Sequence, residues 1–119
     1  MNIKGIIWLG VRTKKFKEQC DFYEKLFNLP VVYDEPGFKV FDLPNGDRVE
    51  VFDEANPDGE HFSTGPVVGF WVDNIEAARA EMEAAGITFL GETGIGDTSK
   101  WAHFRGPDGN TYEITERNS

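Results

Sequence analysis

Apolar and polar positions first organise the chain at Gly5 to Val11. Alternation there puts Ile7, Leu9 and Val11 on one face of a strand and Ile6, Trp8 and Gly10 on the other, with Arg12 continuing the second face. From Phe16 the period changes. Phe16, Cys20, Tyr23 and Phe27 recur at helical spacing as one apolar stripe, with Phe22 and Leu26 beside it. Thr13 is the expected cap of that helix. Asn28-Leu29-Pro30 ends it, because the residue before a proline is pushed out of the α region. Val31 to Asp34 and Phe38 to Leu43 read as strands on either side of Glu35-Pro36-Gly37, and Pro44 to Asp47 turns the chain into Arg48 to Phe52. The same order then recurs. Pro66 to Val72 is a strand, and Asp73 caps a helix with Glu76 as its capping-box partner. Ile75, Ala78, Met82 and Ala85 form that helix's buried stripe, and Gly86 stops it. Thr88 to Leu90 is a short strand, Glu92 to Thr98 with its two glycines reads as a mobile loop, and Lys100 to Arg105 and Thr111 to Thr115 are the closing strands.

The recurrence is also local. Pro44-Asn45-Gly46-Asp47-Arg48-Val49-Glu50 and Pro107-Asp108-Gly109-Asn110-Thr111-Tyr112-Glu113 share one pattern, a turn whose proline presets φ and whose glycine supplies positive φ, leading into a strand that carries a glutamate. Each half therefore reads strand, helix, strand, strand, strand. The expected fold is α+β, with two βαβββ modules forming a curved mixed sheet around a ligand trough and the helices on the outer face. Module 1 spans residues 1–52, a turn-rich acidic linker 53–65, and module 2 residues 66–119, in a single domain. If Ile7/Leu9/Val11, Val49/Val51, Val68/Phe70/Val72, Ala102/Phe104 and Tyr112/Ile114 face the helices, the opposite faces carry Trp8, Arg12, Arg48, Glu50, Phe52, Val67, Gly69, Trp71, Trp101, His103, Arg105 and Glu113. All three tryptophans and both repeated glutamates share that side.

Composition narrows the function classes. A formal net charge of −9 argues against nucleic-acid backbone binding, which needs basic surface. It is compatible with a cationic ligand, although plain solubility accounts for it as well. The one cysteine, Cys20, excludes an intrachain disulfide and fits a reducing cytoplasm. It lies on an apolar helix stripe, where a packed small hydrophobe is the plainer reading than a nucleophile. The N-terminus opens as a strand with no long apolar run, so neither a signal peptide nor a membrane span is expected.

The layout resembles the vicinal oxygen chelate superfamily of glyoxalase I, extradiol dioxygenases, fosfomycin-resistance enzymes and bleomycin-resistance proteins. Phe22-Tyr23 with Leu26, Val72-Asp73-Asn74, and Gly106-Pro107-Asp108-Gly109-Asn110 before Glu113 carry the resemblance, which covers the whole chain. It implies a divalent metal held by two histidines and two carboxylates in metal-using members. Here the carboxylate positions match Glu50 and Glu113, while the histidine positions fall on Trp8 and Val67, neither of which binds metal. Arg12 matches an arginine that holds an anionic part of the thiol substrate in glyoxalases. His103 could supply an imidazole from an unusual position, although a histidine hydrogen-bonded within a strand is the plainer reading, and His61 reads as a solvated linker side chain.

Two classes of function are open. The first is a metal-independent binder of a small aromatic or cationic molecule, similar to the bleomycin-resistance branch, with Trp8, Arg12, Arg48, Glu50, Phe52, Val67, Trp71, Trp101, His103 and Glu113 lining its site. The second is an enzyme, a glyoxalase-type lyase or isomerase or a dioxygenase, using Glu50, Glu113 and His103 around a metal or as an acid–base pair. Without ligands of either kind, the same surface would be a vestige in a pure interaction module. The resemblance further implies a homodimer; no cofactor, nucleic acid or membrane partner is expected.

Overall fold

The computed structural model describes residues 1–62 and 65–117; the parts of the expected linker and second module at 63–64 and 118–119 lie outside the described residues. The architecture is α+β. Among the described residues, eight strands and two short α-helices occur in the order β1 (Ile3–Thr13), α1 (Phe16–Asp21), β2 (Val31–Glu35), β3 (Phe38–Asp42), β4 (Arg48–Asp53), β5 (Val67–Val72), α2 (Ile75–Ala84), β6 (Phe89–Ile95), β7 (Ser99–Arg105) and β8 (Thr111–Arg117). The βαβββ order thus occurs twice. By compactness, Trp8–Pro66 forms one unit, and Met1–Ile7 joins the chain from Val67 onward in the other.

In the unit of Trp8–Pro66 the strand order is β2-β3-β4-β1, with β1 parallel to β4 and the other pairs antiparallel. Register sorts the side chains as the alternation demands. Val49 and Val51 join Phe41, Cys20 and Tyr23 in the core beneath α1. Trp8↔Arg48, Gly10↔Glu50 and Arg12↔Phe52 pair on the opposite face. In the other unit the order is β5-β8-β7-β6, again with one parallel pair, β5 with β8. Val72, Ala102, Phe104 and Ile114 pack with Ile75 and Ala78 of α2. The open face carries two cross-strand rows, Gly69↔Glu113↔His103 and Trp71↔Thr115↔Trp101.

Four local expectations change. The helix after Thr13 does not stay α-helical. From Phe22 to Leu26 it widens into a π turn, closed by the Phe27 amide donating to the Phe22 carbonyl at 3.1 Å. The extra residue in that turn rotates Phe27 off the stripe. Cys20 and Tyr23 are buried as expected, but Phe27 is 54% exposed beside Phe22 and Leu26. At the second helix the cap is Asn74, whose side-chain oxygen accepts from the Ala77 amide at 2.9 Å. Asp73 instead pairs with Lys4 at 3.2 Å and Glu76 with Lys100 at 2.9 Å, so no capping box forms. Ala85 is exposed at that helix's end, leaving Ile75 and Ala78 as its fully buried residues. Finally, Glu92 to Ile95 is strand: Gly94 and Ile95 pair with Trp101 and Lys100 across a bulge. Gly94 belongs to that strand because the Trp101 ring lies directly on it.

Candidate functional site

The face of the unit built from Met1–Ile7 and β5 to β8 brings four expected site residues together. Glu113, on the central strand β8, is 4% exposed. A carboxylate at that depth needs partners. His103 Nε2 stands 3.1 Å from its Oε1, and the Thr115 hydroxyl donates to its Oε2 at 2.5 Å. His103 and Glu113 are directly opposed in the β7–β8 register, so the pairing follows from that register. Thr115, two residues along on the same face, went unrecognised in the sequence; a threonine two places after a strand glutamate is the signal that could have found it.

Aromatic rings border this polar centre. Trp101 lies flat over Gly94, its partner on β6: a Cβ on that glycine would stand 2.3 Å from the indole Cε2. Any side chain there would lift the ring, so the glycine is what allows the indole to lie on the sheet. Trp71, across Thr115 from Trp101, has the Lys4 ammonium 3.9 Å and the Arg117 guanidinium 4.5 Å from its ring centroid. Lys4 also meets Asp73 at 3.2 Å. Val67 is 2% exposed and offers only methyl groups.

The remaining expected residues lie in the unit of Trp8–Pro66, and there the face is covered. Phe62, from the segment read as a plain linker, is 1% exposed. Its ring centroid is 5.7 Å from Trp8 and 5.1 Å from Phe52, and Phe52 continues to Phe38 at 4.8 Å. Arg12 fastens the same segment. Its Nε and Nη2 donate to the Glu54 carbonyl at 3.3 and 2.9 Å, and its Nη1 donates to the Phe62 carbonyl at 3.1 Å. Gly59 lies against the Phe52 ring closely enough that a Cβ would reach it at 3.2 Å. Trp8 lies over Gly10 as Trp101 lies over Gly94. Arg48 pairs with Asp42 at 3.0 Å and is half exposed, and Glu50 is half buried opposite Gly10 and Val40. His61 is partly exposed, 3.9 Å from Glu60. A lone phenylalanine in a run of Asp, Glu, Asn and Gly was the available clue to Phe62.

These residues do not make the metal donor set that the resemblance implies. Val67 is buried and apolar, and the Trp8 ring is committed to Gly10 and Phe62. Among the described residues no group of three or more His, Cys, Asp and Glu could hold a metal ion. Cys20 is no alternative reactive group, because burial pushes its thiol up to about 11. Among the described residues, no helix is long and apolar enough to cross a membrane.

Residues 5–114 match the family model of the Glyoxalase/Bleomycin resistance protein/Dioxygenase superfamily. No curated protein matches the chain in sequence. Among solved structures, the Mn(II)-bound glyoxalase from Novosphingobium aromaticivorans is similar with a TM-score of 0.75 at 21% identity, over 96% of this chain and 39% of that one. Methylmalonyl-CoA epimerase from Mycobacterium tuberculosis aligns with a TM-score of 0.73 at 14% identity, covering 98% of this chain and 90% of that one. A superfamily member from Vibrio splendidus 12B01 gives 0.67 at 18% identity, over 97% and 99% of the two chains. At these identities the likeness is one of fold.

Proposed function

The chain belongs to the glyoxalase/bleomycin resistance protein/dioxygenase superfamily, and from that premise we propose that it is a metal-independent binder of a planar aromatic small molecule. The observation that carries the reading is the Trp101 indole laid across Gly94 on the same sheet face as the buried Glu113–His103 pair. A ring held flat on a sheet needs no reordering to stack a ligand, and a packed polar pair beside it fixes orientation. The Arg12, Phe52 and Trp8 positions contribute less to ligand contact in this reading, because Phe62 and its segment cover them. Calorimetric titration with a panel of planar aromatic compounds tests it. Saturable one-to-one binding that Trp101→Leu weakens about tenfold supports the proposal. No saturable heat across the panel, or binding indifferent to Trp101→Leu, rejects it.

One geometric fact favours a second reading, an enzyme of the same superfamily. His103 Nε2 and Glu113 Oε1 at 3.1 Å form a carboxylate–imidazole pair able to hold and pass a proton. The pair would transfer a proton to or from a bound substrate; lyase, isomerase and epimerase chemistry all contain such a step. In turnover assays on candidate substrates, Glu113→Gln and His103→Asn would each abolish rate while leaving substrate affinity within a few-fold. For the binder, the same variants change affinity and there is no rate to lose. The homodimer and the cytoplasmic setting belong to the proposal as well. The half-exposed rings of Phe22 and Phe27, 4.5 Å apart with Leu26 beside them, are apolar surface that a second copy would cover.

A further inference from the structure

Resting on the aromatic-binder reading, we infer that the ligand is an aromatic anion, a planar ring bearing a carboxylate or phosphate group, whose negative end lies at Lys4 and Arg117. Two positive charges stand against the aromatic part of this face. Lys4 and Arg117 bring their cationic heads within 3.9 and 4.5 Å of one ring centroid, that of Trp71, so both act electrostatically on an anionic group placed at that ring's edge. Trp71 is engaged by these two cations, and a ligand cation brought to the same ring would be repelled by both.

The negative charge on this face is placed differently. Glu113 has a side chain only 6% exposed, with one carboxylate oxygen taken by the Thr115 hydroxyl and the other facing His103. It is a poor first contact for an incoming amine. Asp73, the other acid close by, is 56% exposed and sits 3.2 Å from Lys4. A pair that open to water contributes little, so a ligand carboxylate can share the ammonium at small cost. The formal net charge of −9 does not reverse this local picture, since exposed charges more than about 8 Å away are largely screened at physiological ionic strength.

The strand register sets the ligand's length. Trp71, Thr115 and Trp101 are direct partners on three adjacent strands, so the two tryptophan positions are about 10 Å apart. Arg117 lies two residues beyond Thr115 on the same face, about 7 Å along β8. Because the Trp101 indole lies over Gly94 on β6, a ring stacked on it must extend back across β7 toward β8, a longer span, to bring its acid group to Arg117. A bicyclic aromatic acid fills it better than a small aliphatic one.

Three probes with one aromatic body test the inference: naphthoate, naphthalenemethanol and naphthylmethylamine, titrated calorimetrically at low and high salt. The expectation is that naphthoate binds about tenfold tighter than the neutral alcohol and that salt erodes the difference. The amine should bind more weakly than either. Lys4→Met and Arg117→Met, which keep the apolar stems, should each lower naphthoate affinity several-fold and leave the alcohol unchanged. If the alcohol binds and the acid binds no tighter, or if the amine binds tightest, the anion inference is wrong while the aromatic site stands. If Lys4→Met and Arg117→Met both leave naphthoate unchanged, its negative end lies elsewhere and the inference is likewise overturned. If none of the three binds, the aromatic-binder reading falls and the inference falls with it. Should either methionine variant unfold, Lys4→Gln and Arg117→Gln put the same question.

Discussion

Truncating Phe62 to alanine separates a tethering role for residues 53–62 from a passive linker. A buried phenylalanine removes roughly 150–250 Å² from water, which at about 25 cal/mol/Å² amounts to about 4–6 kcal/mol of transfer free energy. Truncations of this kind cost about 3–5 kcal/mol when the cavity cannot close. Phe62 is 1% exposed and meets both Trp8 and Phe52, but its segment can settle partway into the vacated space, so we expect about 3 kcal/mol. Arg12→Met keeps the aliphatic stem and removes the donors to the Glu54 and Phe62 carbonyls, which should cost about 1–2 kcal/mol. Because both side chains hold the same segment, the double variant should lose less than the sum, by about 1 kcal/mol. Urea denaturation read by far-ultraviolet circular dichroism gives the free energies, and tryptophan emission reports on Trp8 alongside. A loss below about 1 kcal/mol for Phe62→Ala, with unchanged native emission, would refute the packing argument. Strict additivity of the two losses would show that ring and guanidinium hold independent features.

Other consequences arise from single contacts. Gly94→Ala places a Cβ 2.3 Å from the Trp101 ring, so it should destabilise by about 1–3 kcal/mol, shift tryptophan emission and weaken aromatic ligands; chemical denaturation and titration read both effects. Asn74→Ala removes the cap on the Ala77 amide and should cost about 1 kcal/mol by thermal or urea unfolding. Cys20 has its thiol pushed up to about 11 by burial, so native protein at pH 8 should react with a thiol reagent only as fast as it opens, and denaturant should release one equivalent. The linked stability change has a definite sign. The unfolded thiol ionises first, so Cys20's contribution is intact below about pH 9 and is lost as pH rises toward 11. Cys20→Ala should flatten that part of the stability profile.

Legibility in the chain depends on which interactions are periodic. Alternation assigned Val49, Val51, Ala102 and Ile114 to the helix-covered faces, and both α+β halves arranged themselves accordingly, because alternate residues of a strand face the same side of the sheet. Alternation likewise put His103 and Glu113 on one face, whereas their direct opposition is a matter of strand register that the alternation alone does not give. Departures came where one residue or one local contact decides. The single extra residue of the π turn moved Phe27 into solvent, and no hydropathy period encodes an insertion of that kind. Asp73 and Asn74 are both cap formers; the helix begins so that Asn74 takes the cap of α2, while Asp73 meets Lys4, 69 positions away in sequence (73 minus 4). Glu92 to Ile95 looked like loop because its glycines were read as flexibility, whereas Gly94 is there to seat an indole.

Phe62 shows why candidate sites are harder to read than folds. Trp8, Arg12 and Phe52 were grouped by a face assignment that their register bears out. Whether such a face is open to a ligand depends on what else in the chain crosses it, and a segment without periodicity gives no warning. Arg12 illustrates the consequence most directly. The resemblance implies an anion-holding guanidinium there, yet its donors go to the Glu54 and Phe62 carbonyls, and the cations gathered on an indole are instead Lys4 and Arg117. Neither is marked by composition or motif, because one sits near the chain start and the other after the last predicted strand residue. A cation's usefulness to a ligand is fixed by the ring and the depth beside it, and only the folded register supplies both.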